Sequence, residues 1–107
     1  MSLWQDGLRW AVNSHSGLTG EAVIAAPAAG KRIVVYYAFA SGSNANTIIL
    51  QDGDGGADIG PRIHFIGAGA QSWFGRYKCT AATALFTDQA AGSGTFDTAI
   101  GYKIEDV

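Results

Sequence analysis

At 107 residues and 11.1 kDa the chain has room for one domain, which excludes a cofactor domain joined to a separate substrate domain. Hydrophobic residues make up 48% of the sequence and charged residues 15%, a composition typical of a chain that folds. The net charge of −2 provides no basic surface for a phosphate backbone, so we expect no nucleic-acid partner.

The apolar segments are too short to cross a membrane. The longest unbroken run, Ile33 to Ala40, is far below the ~20 residues that a spanning helix needs, and the first residues lack the basic-then-apolar pattern of a secretion signal. We therefore predict a soluble, unprocessed chain with no membrane partner. The single cysteine, Cys79, excludes an internal disulfide and a thiolate metal cluster, which fits a cytosolic protein stabilised by core packing or by oligomerisation.

Short apolar runs between 15 glycines favour strands joined by turns, and helical periodicity is absent. Residues 1–20 are predicted to form an N-terminal arm or edge strand, with a turn-rich spacer at 13–20, and residues 21–107 an antiparallel β-sandwich domain or a small barrel. In chain order the predicted strands lie at 21–26, 31–41, 45–51, 62–66, 72–74, 83–87 and 95–104. The Ser-Gly-Ser-Asn turn predicts that 31–41 and 45–51 form a hairpin, and loops are predicted at 52–58 and 89–94.

The alternation of side chains predicts which faces of the strands are buried. In the last strand one face carries Phe96, Thr98, Ile100, Tyr102 and Ile104, and the other carries Asp97, Ala99, Gly101 and Lys103. The strand 31–41 differs, because both faces are apolar: Ile33, Val35, Tyr37 and Phe39 on one, Val34, Tyr36 and Ala38 on the other. We expect another subunit to cover the outer face, in preference to the N-terminal arm.

No group of residues predicts catalysis, so the chain is not expected to be an enzyme. There is no nucleophile elbow, His15 is expected to be solvated in a polar turn, and His64 to lie on a surface or interface. The acidic loop 52–58 lacks the glutamate of a calcium-binding loop and fits a plain turn, so no metal or other cofactor is expected.

Two other residue types have ordinary structural interpretations. Cys79 fits a small buried cysteine rather than a reactive one. The tryptophans Trp4, Trp10 and Trp73 fit a core or an interface better than a sugar-stacking surface.

From about Ala25 onward the order of segments resembles small structural proteins of tailed bacteriophages. The segments that carry the resemblance are Ala28 to Ile33, Asn46 to Leu50, Ile59-Gly60-Pro61, Trp73-Phe74, Thr80 to Leu85 and Gly101 to Val107. The resemblance implies a jelly-roll-like sandwich and a non-enzymatic protein that decorates and stabilises the capsid. It further implies synthesis in the bacterial cytoplasm and a final location on the outer surface of the virion.

The same resemblance implies two partners, the major capsid protein and further copies of the chain, with a homotrimer favoured. Residues from Leu3 to Trp10 would then form an arm that reaches a neighbouring subunit or the shell. The candidate contact residues are Leu3, Trp4, Trp10, Val34 and Tyr36. Two alternatives stay open: a head- or tail-fibre module that binds host-surface glycans through the loops 52–58 and 89–94, and a tail or connector component.

Overall fold

The computed structural model describes residues 7–16, 20–92 and 94–107, and it confirms the all-β fold. Within these residues there are eight strands and no helix. The strands are β1 (Arg9–Ser16), β2 (Glu21–Ile24), β3 (Lys31–Gly42), β4 (Asn46–Asp52), β5 (Ile63–Phe65), β6 (Gly69–Lys78), β7 (Leu85–Gly92) and β8 (Thr95–Asp106).

The strands form two antiparallel sheets of four, ordered β1-β8-β3-β6 and β2-β7-β4-β5. Except for the step from β4 to β5, every connection crosses from one sheet to the other. This strand order is that of a jelly roll, in which two Greek keys are folded into a pair of packed sheets. The predicted antiparallel β-sandwich is therefore confirmed.

The predicted hairpin between β3 and β4 is wrong, because these strands lie in different sheets. β3 pairs with β8 from Lys31 opposite Asp106 to Gly42 opposite Phe96, whereas β4 pairs with β7 and β5. The turn after β3 crosses the sandwich: a Cβ added at Gly42 would lie 3.3 Å from the ring of Phe65 on the facing sheet. The turn signal was correct, but the non-local pairing of the two longest strands decided the partners.

The core lies between the two sheets and is mainly aliphatic. Its largest fully buried apolar side chains are those of Ile33, Ile48, Leu50, Leu85 and Ile100. On β8 the predicted inner face is confirmed, since Phe96, Thr98 and Ile100 are buried and Tyr102 and Ile104 pack against the core. Full burial of each aliphatic side chain contributes about 1.5–3 kcal/mol to folding.

A β-bulge corrects the predicted faces of β3. The register with β8 shifts between Val35 and Tyr37, so Tyr36 is an extra residue on its strand. Beyond the bulge the alternation is reversed: Ala38 and Ala40 belong to the core, although the unbroken pattern placed Tyr37 and Phe39 on the same face as Ile33 and Val35. A bulge inserts one residue and moves every later side chain to the opposite face.

Three predicted boundaries are also corrected. The turn-rich spacer at 13–20 is shorter, because residues 13–16 continue β1 along the edge of the first sheet. The brief strand at 72–74 extends over the ten residues of β6. The loop at 89–94 is reduced, because β7 continues to Gly92 and Gln89 is buried with its amide donating to the Asn46 side-chain oxygen.

Candidate docking surface

A row of apolar side chains crosses the outer face of the β1-β8-β3-β6 sheet. We call it the aromatic face and define it as Trp10, Val12, Tyr37, Phe39 and Phe74. Register places these residues on one side: Trp10 and Tyr37 both lie opposite Gly101, Val12 and Phe39 both lie opposite Ala99, and Phe74 lies opposite Tyr37. Trp10 is 49% exposed, Val12 75% and Phe74 65%.

The aromatic rings of this face interlock at angles. The Trp10 and Tyr37 ring centroids are 5.6 Å apart with planes 69° apart, and those of Tyr37 and Phe74 are 4.9 Å apart with planes 54° apart. The first pair is edge-to-face and the second is tilted, and ring contacts of this kind stabilise the positions of the rings themselves.

Two small residues of β8 permit this arrangement. Ala99 and Gly101 separate the β1 side chains from the β3 side chains. A Cβ added at Gly101 would lie 3.2 Å from the Trp10 ring and 3.3 Å from the Tyr37 Cβ. The absence of a side chain at Gly101 therefore allows the indole to lie across β8 against Tyr37.

A polar cluster spans β8, β3 and β6 of the same sheet. The Tyr36 hydroxyl donates to Glu105 and accepts a hydrogen bond from Arg76 Nε at 3.2 Å, while Arg76 Nη2 lies 2.9 Å from Glu105 Oε1. Lys103 Nζ lies 5.7 Å from the centre of the Tyr36 ring. Burial, followed by the contact with Glu105, raises the pKa of Tyr36, whereas the hydrogen bond from Tyr36 and the charge of Arg76 lower the pKa of Glu105.

The five contact residues predicted from sequence have different positions. Leu3 and Trp4 lie outside the described residues. Trp10 belongs to the aromatic face. Val34 is 0% exposed and Tyr36 is 8% exposed, so neither presents a surface to a partner.

Sequence reasoning missed four members of the aromatic face, which are Val12, Tyr37, Phe39 and Phe74. The unbroken alternation placed Tyr37 and Phe39 on the same face as Ile33 and Val35, because the bulge at Tyr36 leaves no simple signal in the sequence. The alternation of Trp10 and Val12 with smaller or polar residues in 9–16 was the available signal for β1.

His15 is buried rather than solvated, which corrects the sequence expectation. It is 4% exposed, its Nδ1 lies 2.7 Å from Glu21 Oε2, and its Nε2 lies 3.0 Å from Thr98 Oγ1. Its ring stacks on Phe96 with centroids 4.6 Å apart, and Thr87 Oγ1 lies 3.5 Å from both ring nitrogens. These contacts connect the two sheets, so the histidine has a structural role.

Two of the three carboxylates of the acidic loop 52–58 are bound within the chain. Asp52 accepts hydrogen bonds from the Thr80 amide at 2.9 Å and hydroxyl at 2.5 Å, and Asp58 pairs with Arg62 Nε at 2.8 Å. Across residues 7–16, 20–92 and 94–107, no three histidine, cysteine, aspartate or glutamate residues are grouped to hold a metal ion. The loop geometry is that of a hydrogen-bonded turn, with the Asp52 amide donating to Ala57.

His64 and Cys79, the other residues considered for chemistry, lie where their structural interpretations placed them. His64 is exposed, as expected, with Nδ1 3.0 Å from Thr47 Oγ1. Cys79 is 2% exposed, and burial, with a smaller contribution from the Asp52 charge, raises the pKa of its thiol to about 12. This low exposure confirms the interpretation of Cys79 as a buried cysteine. A thiol with this pKa is protonated at neutral pH and is therefore a poor nucleophile.

No protein-family model matches the sequence, and no curated protein matches it significantly. None of the described residues belongs to a helix that is long and apolar enough to pass through a bilayer.

Proposed function

We propose that this chain is a virion structural protein that decorates and stabilises the capsid of a tailed bacteriophage, and that the aromatic face binds the major capsid protein. The carrying observation is the exposure of Trp10, Val12 and Phe74 on the same face of one sheet. Since large side chains bury about 150–250 Å² each, these three expose roughly 400 Å² of apolar surface. The largest apolar patch on a small protein, about 300–600 Å², is often a functional site, and this face is of that size.

A jelly roll with one apolar sheet face suits attachment, because attachment requires a rigid complementary surface and no chemistry. Burying roughly 400 Å² at about 25 cal/mol per Å² gives a gross gain of about 10 kcal/mol. Association costs about 4–15 kcal/mol, so the net affinity of one copy is modest. A capsid presents the same site many times, and the summed contacts of many copies oppose rupture of the shell.

The number of copies in the virion tests this proposal against its alternatives. We would purify virions of the phage that encodes the chain and measure its ratio to the major capsid protein by quantitative mass spectrometry. A decoration protein is expected at a fixed ratio to the capsid protein, in many copies per virion. Absence from virions, or the low copy number of a connector ring or a set of fibres, would refute decoration.

Matched valine variants test the surface. Val12→Asp places a charge on the aromatic face, whereas Val107→Asp places the same charge on a valine of similar exposure at the chain end, 75% against 61%. We expect Val12→Asp to lose binding to shells that lack the protein, because a carboxylate cannot be buried in an apolar contact without a partner. Val107→Asp should bind like the unmodified chain. Equal binding of both variants would exclude the aromatic face as the attachment surface.

A further inference from the structure

Strand β6 forms the longest sheet edge that is open among the described strands. It has ten residues and pairs with β3 alone, whereas the edge strands β1, β2 and β5 have eight, four and three. Eight of its ten residues are exposed. An edge of this kind presents main-chain donors and acceptors to which another strand can add.

The protection of this edge is confined to its second half. Proteins block sheet edges with charged side chains, proline or bulges. Arg76 and Lys78 are charged, and the β3–β6 register shifts between Phe74 and Tyr77. The first half, Gly69 to Phe74, has no charge, no proline and no bulge.

We propose that two copies of this chain pair through the first half of β6, antiparallel, across a two-fold axis at Ser72. An axis perpendicular to the sheet places Ser72 opposite its own copy, Ala70 opposite Phe74, and Gln71 opposite Trp73. Each large aromatic residue then faces a smaller or unbranched side chain, so no two large rings compete for the same space across the pairing.

The charges of β6 are compatible with this register. Arg76 and Lys78 lie beyond the paired segment, on opposite sides of the axis in the two copies, so no two basic side chains face each other across it. Gly69, Ala70 and Ser72 are small and allow the two backbones to approach. The opposite edge, β1, begins with the bulky Arg9-Trp10 pair and is less suited to such an approach.

Pairing through β6 would also enlarge the aromatic face. The two-fold axis keeps both aromatic faces on the same side of a joined eight-stranded sheet, with the Phe74 residues nearest to the axis. Two faces of roughly 400 Å² give about 800 Å², the usual contribution of one partner to a stable protein–protein interface. Only this consequence rests on the proposed function; the pairing itself does not.

Cysteine cross-linking tests the pairing directly. Directly opposed residues in antiparallel strands have Cβ atoms about 4.5–5.5 Å apart, close to the ~3.8 Å of a disulfide. Under oxidised glutathione, Ser72→Cys should form a covalent dimer on a non-reducing gel. The matched control is Ser14→Cys on the β1 edge, which should remain monomeric. The native Cys79 is buried and does not interfere.

Light scattering supplies the second measurement. We expect the unmodified chain to have the mass of two copies, with little dependence on salt because the paired segment is uncharged. Ala70→Lys, at an exposed position, should give the mass of one copy while the fold is retained. A monomeric or trimeric mass, no cross-link at Ser72, or equal cross-linking at Ser14 would overturn the proposal.

The decoration proposal and the β6 pairing can be refuted independently of each other. Val12→Asp lies away from β6 and should leave the dimer intact, so loss of shell binding without loss of the dimer concerns the aromatic face alone. A monomer that still binds shells would refute the β6 pairing and leave the decoration proposal standing.

Discussion

Replacing His15 by alanine should be among the most destabilising single changes outside the aliphatic core. The ring is 4% exposed and stacks on Phe96, and loss of a buried ring costs about 3 kcal/mol or more. The Thr98 hydroxyl, 1% exposed, also loses a partner, at about 1–3 kcal/mol. Glu21 is 46% exposed in its side chain, so its carboxylate regains water at little cost.

Because the lost ring contact and the lost hydrogen bond overlap, we expect His15→Ala to lower the free energy of unfolding by about 3–5 kcal/mol. This is a large part of the ~5–15 kcal/mol typical of a domain. Urea unfolding followed by tryptophan emission measures the change. The matched variant Glu21→Gln keeps the ring and should cost less than about 1 kcal/mol. If His15→Ala lost no more than Glu21→Gln, the ring would not connect the sheets as argued.

Three further predictions concern single residues. Cys79, with its pKa raised to about 12 by burial, should resist thiol reagents at pH 8 in the folded chain and react at once in urea; rapid labelling of the folded chain would contradict its burial. Folding lowers the pKa of Glu105 from its ordinary value of 4.5, so the ionised carboxylate stabilises the fold at pH values above 4.5. This contribution to stability is lost as the pH falls through the lowered pKa of the folded chain. Tyr36→Phe removes the hydrogen bond that is the main cause of the lowered Glu105 pKa. As the pH is reduced below 4.5, the urea midpoint of the variant should therefore fall less steeply than that of the unmodified chain. Parallel curves of midpoint against pH would refute the coupling between Tyr36 and Glu105. Gly101→Val should displace the Trp10 ring, since even a Cβ would lie 3.2 Å from it, and an unchanged tryptophan emission spectrum would show that the ring does not lie across β8.

Local patterns in the sequence were sufficient for the fold class and for one strand in detail. Glycine-separated runs of β-branched and aromatic residues predicted an all-β sandwich, and the strict alternation along β8 predicted its buried face. The alternation succeeds there because no bulge interrupts β8 between Phe96 and Ile104. The burial of Cys79 also followed from its residue type.

The tertiary structure alone decided which strands are partners, and through them the candidate surface. β3 pairs with β8, about sixty residues away in sequence, and the bulge at Tyr36 exists only relative to that partner. The same pairing places Tyr37 beside Trp10 over Gly101 and buries His15 between the sheets. Periodicity is a local property that the chain carries in its order of residues, whereas register and partner are settled by contacts between distant segments when both sheets close on one core.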